Sequence, residues 1–185
     1  MDYNDIRTII IESLTELFNQ DKNIFTSTTS NNSYLGRKLH EVCINHRLAY
    51  YLERNICRFL RENCLISERE RIYVDIEFNK RGTQQKKATI SGTDNSPKIK
   101  IVRPDIIVHN RKDGDEKRNI LIVEAKKFNI NKHDKSKVES FMTDANYQYT
   151  YGLTVSYCRN NNFIEAYLYE ANRQEPERIT VPNNT

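Results

Sequence analysis

The chain has 185 residues, 37% of them apolar and 29% charged, with 29 basic against 25 acidic side chains for a formal net charge of +4. That length suits one domain with its own core, and no apolar run approaches the roughly 20 residues that a membrane helix needs. The start Met1-Asp2-Tyr3-Asn4-Asp5 is acidic and lacks a basic region ahead of an apolar one, so the expectation is no secretory leader and a cytoplasmic protein. The cysteines, Cys43, Cys57, Cys64 and Cys158, form no C-x-x-C pair and signal no structural zinc site.

Ile6, Ile9, Ile10, Leu14, Leu17 and Phe18 recur at the spacing of one helical stripe, with Asp2 or Asn4 as the N-cap. An N-terminal amphipathic helix follows, its stripe assigned to the core. The polar segment from Asn19 to Ser33 reads as a linker, and residues 1–35 form a unit of helix and linker with room for a dimer contact. A second, proline-free helix is expected from about Arg37 to Arg61. Its expected buried face carries Leu39, Val42, Cys43, His46, Ala49, Tyr50, Glu53, Ile56, Cys57 and Leu60. On that reading the cysteines are buried reduced thiols and His46 is a hydrogen-bonded core histidine.

Residues Ile72 to Phe78 alternate apolar and acidic side chains and predict a first strand. The stretch from Lys80 to Lys98, with two glycines, several glutamines and Pro97, predicts a mobile excursion. Ile101 to Val108 and Ile120 to Lys126 are β-branched runs on either side of a polar, Gly-containing turn, Asn110 to Asn119, and predict a hairpin. A helix is expected from about Ser136 to Tyr149. A second hairpin follows, Gly152 to Cys158 with Phe163 to Tyr169, and residues 171–185 form a polar tail with a short strand at Arg178 to Val181. The order implies an α+β fold, with a central mixed sheet and helices packed on it.

Side chains alternate along a strand, so Glu124 and Lys126 share one face, with Val123 and Ala125 on the other. Asp105 lies in the partner run, directly after Pro104. A magnesium ion prefers oxygen ligands and is often held by one or two carboxylates plus substrate phosphate. Asp105 and Glu124 meet that need, the carbonyl of Ala125 offers a further oxygen, and the Lys126 ammonium can orient a water and offset developing negative charge. Mn2+ is the expected substitute ion. A surface salt bridge, Glu124 with Lys126 or Asp105 with Arg103, is the plainer reading, but it leaves the apolar flanks of both runs unexplained. Basic side chains gather at Lys80, Arg81, Lys86, Lys87, Lys98, Lys100 and Arg103, and at Lys126, Lys127, Lys132, Lys135 and Lys137, on the borders of this constellation. Tyr147, Tyr149 and Tyr151 are either core residues or platforms for bases.

Pro104-Asp105 with Glu124-Ala125-Lys126, in this strand context, resembles the PD-(D/E)xK nuclease superfamily. The resemblance covers about residues 36–170 and implies a restriction endonuclease-like αβββαβ core, preceded here by the extra N-terminal helix. It implies Mg2+-dependent hydrolysis of phosphodiesters by an endonuclease or exonuclease, with DNA favoured over RNA, in phage defence, restriction or repair, and with a homodimer suited to double-strand cutting. Asp105, Glu124 and Lys126 are the implied catalytic set. A further acidic ligand is implied on the preceding helix, where Glu41 is the first candidate and Glu53 the second. Glu77 is a third position for orienting a water. A different class of function stays open: a nuclease-fold module that binds nucleic acid or assembles with a protein partner without turnover of its own.

Overall fold

The computed structural model describes residues 1–21, 40–65, 67, 71–77, 80–81, 84–85, 87–91, 97–101, 103–112, 114–157 and 163–182. Helix α1 spans Tyr3–Asp21 and α2 spans Glu41–Glu62. Strands β1 (Tyr73–Ile76), β6 (Ile106–His109), β7 (Asn119–Lys126), β8 (Tyr151–Ser156), β9 (Ile164–Glu170) and β10 (Glu177–Val181) form one six-stranded sheet. Helix α3, Lys132–Thr143, connects β7 to β8. Two short antiparallel pairs lie between β1 and β6: β2 (Lys80–Arg81) with β3 (Gln84–Gln85), and β4 (Lys87–Ser91) with β5 (Pro97–Ile101). No helix among the described residues is long and apolar enough to cross a membrane.

In the large sheet the order is β1-β6-β7-β8-β9-β10, with β7 and β8 parallel and every other neighbour antiparallel. A mixed sheet flanked by helices is therefore present, as the α+β reading requires. The parallel step needs a crossover, and α3 supplies it. Alternation divides the core in two. Ile106, Val108, Leu121, Val123 and Ala125 face α1 and α2, whereas Ile107 and Ile122 meet Val138 and Phe141 of α3. Asp105, Glu124 and Lys126 have the parity of the α3 face.

The α1 stripe is buried in full, and the helix opens with a reciprocal cap. Asp2 N donates to Asp5 Oδ2 at 2.8 Å and Asp5 N to Asp2 Oδ1 at 3.0 Å. Because α1 packs against α2, β9 and β10, its apolar stripe is internal and unavailable for a dimer contact. Glu12–Arg58 at 2.5 Å and Asp21–Arg47 at 2.8 Å bind opposite ends of the two helices, which therefore run antiparallel.

Several expectations are corrected. Helix α2 is rotated from its expected face: Ile44, Asn45, Leu48, Ala49, Tyr51, Leu52, Asn55, Ile56 and Leu60 are the buried positions. Val42, Cys43, His46, Tyr50 and Glu53 are exposed, Cys57 is half-buried, and Cys64 lies exposed beyond the helix. The described cysteines are free thiols on the solvent side, and His46 is no core histidine. The displaced stripe has a physical cause: Asn45 and Asn55 are buried because each finds a partner. Tyr157 Oη donates to Asn45 Oδ1 at 2.8 Å and Asn55 Nδ2 to Ser13 Oγ at 3.0 Å. The expected helix positions 37–39 and Cys158 lie outside the described residues.

Helix α3 begins and ends earlier than its apolar spacing suggests. Asn131 and Asp134 form a capping box at its start, and the chain turns after Asp144. Tyr147 and Tyr149 therefore lie beyond the helix, packed around Phe141, and Tyr151 is buried in the larger core, so none presents a base platform. The excursion after β1 contains two short strand pairs. Its β5 ends at Ile101, so the single strand expected from Ile101 to Val108 is broken around Pro104-Asp105. Proline lacks the N–H that a continued ladder would need. Ile179 and Val181 of β10 enter the larger core, which gives the polar C-terminal segment an anchored strand.

Candidate active site

Glu124 sits near the end of β7, where the strand's polar parity turns under α3. Its side chain is 2% exposed, and Lys137 Nζ from α3 stands 2.5 Å from Oε1. Burial, followed by the nearby Asp105 charge, pushes the Glu124 carboxyl up to about 8, against the opposing pull of Lys137 and Lys126. Lys137 Nζ also donates to the Arg103 carbonyl at 2.6 Å, which joins α3 to the segment leading into β6.

Asp105 stands just before β6, where Pro104 interrupts the strand run. Its Oδ2 accepts the Ala125 N–H at 2.8 Å and lies 3.9 Å from Lys126 Nζ. Burial raises its pKa despite that hydrogen bond and the two lysines. The N–H and C=O of one strand residue project towards the same edge, so the Ala125 carbonyl faces the Asp105 side.

Lys126 reaches past the end of the sheet to α2. Its Nζ donates to Glu41 Oε1 at 3.1 Å, and Glu41 Oε2 accepts the Lys127 N–H at 2.8 Å. Burial alone would lower the Lys126 pKa, but Asp105 and Glu41 outweigh it and hold the ammonium charged. Glu41 is aimed by its own helix. One turn later, Asn45 is tied to Tyr157, whose N–H donates to the Lys126 carbonyl at 3.0 Å. The end of α2, the end of β7 and the end of β8 are thereby joined.

The structure thus brings Glu41, Asp105, Glu124 and Lys126 to one end of the sheet, together with Lys137. It does not bring Glu53 there: that residue is exposed farther along α2, and its charge acts on Arg111. Glu77 pairs with Arg103 at 3.1 Å, while its backbone N–H donates to the Asp105 carbonyl at 2.9 Å. His109 is also elsewhere, with Nε2 at 2.9 Å from Asp75 Oδ2, the carboxylate that Arg111 grips from outside. Asp144 caps α3, and Gln148 lies in the turn beyond it.

The sequence reading placed Lys137 only within a general basic run and did not include Asn45 or Tyr157. A helical signal existed for two of them: Asn45 follows Glu41 by four residues, and Lys137 follows the N-cap Asn131 by six, one position before the core residue Val138. Tyr157 had only its place at the end of a strand.

Among the described residues, no three His, Cys, Asp or Glu side chains are grouped to hold a metal ion as they stand. The donor chemistry fits a hard cation held by two carboxylates, since Asp105 and Glu124 are electrostatically coupled oxygen donors. Glu41, in contrast, spends both oxygens on Lys126 and Lys127. The chain matches no protein-family model, no curated protein and no solved structure in these comparisons.

Proposed function

We propose that this chain is a Mg2+-dependent nuclease of the PD-(D/E)xK kind, hydrolysing phosphodiester bonds with DNA as the favoured polymer. The observation that carries the reading is the meeting of Asp105, Glu124 and Lys126 at one sheet end. The chain order α2, β1, β6, β7, α3, β8 supports a restriction endonuclease-like core, with the β2 to β5 pairs inserted after its first strand.

Asp105 and Glu124 would hold the ion, with the Ala125 carbonyl as a further oxygen. When bound, Mg2+ supplies Lewis-acid polarisation of a phosphoryl oxygen and a lower pKa for water. Lys126, kept charged by Asp105 and Glu41, would orient the attacking water and offset negative charge on the phosphoryl oxygens. Glu41 is a positioning residue in this scheme, because its carboxylate is already engaged with Lys126 and the adjoining N–H.

The test is Mg2+-dependent cleavage of linear, branched and single-stranded DNA, and of RNA, with Glu124→Ala and Lys126→Ala beside the wild type. Loss of cleavage in both variants is the expected result. Equal activity in all three proteins would sink the assignment.

A second reading has its own support: Lys126 and Lys137 of the site are each paired with a carboxylate of this chain, Glu41 and Glu124. That arrangement suits a module that binds nucleic acid or a protein partner and cleaves only after rearrangement. Salt-dependent DNA binding without cleavage under any divalent ion would select it.

A further inference from the structure

Lys137 occupies an unusual place for a lysine. Its side chain is only 13% exposed, and its ammonium is seated between two oxygens, Glu124 Oε1 at 2.5 Å and the Arg103 carbonyl at 2.6 Å. A carboxylate and a backbone carbonyl converging at these distances form the kind of oxygen seat that a hard cation occupies. The seat lies beside Asp105, because Arg103 is two residues before it and Glu124 senses its charge.

Charge balance gives this seat a function. Glu41, Asp105 and Glu124 bring three negative charges when ionised, and Lys126 and Lys137 bring two positive charges, which leaves one negative charge. One divalent ion makes the site singly positive, matched to one phosphodiester. A second divalent ion beside Lys137 would leave a site with three excess positive charges, two of them unmatched by the phosphodiester. In a buried, low-dielectric setting such an excess is costly.

We infer that Lys137 is a built-in cation that fills a second cation seat, so that this chain takes one divalent ion per site and not two. This rests on the nuclease reading for the first ion, at Asp105 and Glu124. The residue is a charge-balancing and positioning group: its ammonium holds Glu124 from the α3 side. Removing its charge would leave the Arg103 carbonyl and Glu124 Oε1 open to another ion.

The experiment is a titration of the full chain with Mn2+ at pH 8.5, followed by the EPR signal of the free ion and by calorimetry. Wild type, Lys137→Arg, Lys137→Met and Lys137→Gln are compared, with circular dichroism as the check on folding. The expected stoichiometry is one ion for wild type and Lys137→Arg, and two for Lys137→Met and Lys137→Gln. Adding Glu124→Gln to either neutral variant should abolish the second site and weaken the first, since both draw on this carboxylate. Two ions in the wild type, or one ion in a folded neutral variant, would overturn the role of Lys137 alone. No ion in any variant would overturn both this inference and the metal reading beneath it.

Discussion

Replacing Glu124 by Gln removes a buried ionisable group while keeping its shape. Burial and Asp105 raise the folded-state pKa of Glu124 from 4.5 to about 8. The folded state therefore holds this proton more tightly than the unfolded chain. Its stabilising contribution is full below the unfolded value and is lost as pH rises through about 8. The displacement corresponds to an upper limit of about 5 kcal/mol, which relaxation and the Lys137 contact reduce. Glu124→Gln is isosteric with the protonated acid and should match the wild type within about 1 kcal/mol below the unfolded value of 4.5, where both states of the wild type keep the proton, and should pull ahead steadily as pH rises from there. Above pH 8 it should be the more stable protein by about 2 kcal/mol or more. Urea denaturation at pH 5, 6, 7, 8 and 9, without divalent ions, reads the difference directly. A constant difference across that range, or a variant that loses ground as pH rises, would refute the account of a carboxyl held proton-bound by burial.

Further outcomes follow from contacts elsewhere. Lys126→Ala should lower Mg2+-dependent cleavage by roughly 10²- to 10³-fold, and Glu41→Ala by roughly 10²-fold through misplacement of the lysine, measured as single-turnover rates. Asp75→Ala strips the shared acceptor from His109 and Arg111 and should cost about 1 to 3 kcal/mol at pH 7 by urea denaturation. Burial opposes the Asp75 charge, but the hydrogen bonds from Arg111 and His109 outweigh it and lower the carboxyl's pKa. Its contribution is therefore present above the unfolded value near 3.8 and disappears as pH falls through the lower folded one. Gly152→Ala would push a methyl into Val138 and to 2.6 Å from Met142 Sδ. Both neighbours lie on α3, so a loss of about 1 to 3 kcal/mol is expected in the same assay, with a further fall in cleavage as Lys137 is displaced.

Asp105, Glu124 and Lys126 could be read together because their geometry depends on local rules: strand parity for two of them and the pairing of consecutive antiparallel strands for the third. The β6–β7 ladder pairs Ile106 with Val123, which leaves Asp105 next to the Ala125 N–H. Lys137 could not be assigned in the same way, since its partners depend on the angle at which α3 crosses the sheet. The α2 face was misjudged for a related reason. Hydropathy ranks Asn45 and Asn55 as solvent-facing and the cysteines as core, whereas tertiary hydrogen bonds to Tyr157 and Ser13 reverse the order. The break at Pro104 had a visible breaker, but the apolar residues on both sides concealed it in a single β-type run.

The insertion between β1 and β6 leaves and re-enters the sheet at almost one point, since Glu77 N–H donates to the Asp105 carbonyl across its base. A loop closed at its neck can change in length and content without disturbing the pairing behind it, because the register of Ile76 with Ile106 is already set. The neck is also the backbone of Asp105, and β4 of the insertion rests on α3, which carries Lys137. A chimera that exchanges residues 78–102 and keeps Arg103 would alter what reaches the carboxylates while leaving the Glu77–Asp105 neck and the Arg103 carbonyl that holds Lys137 in place.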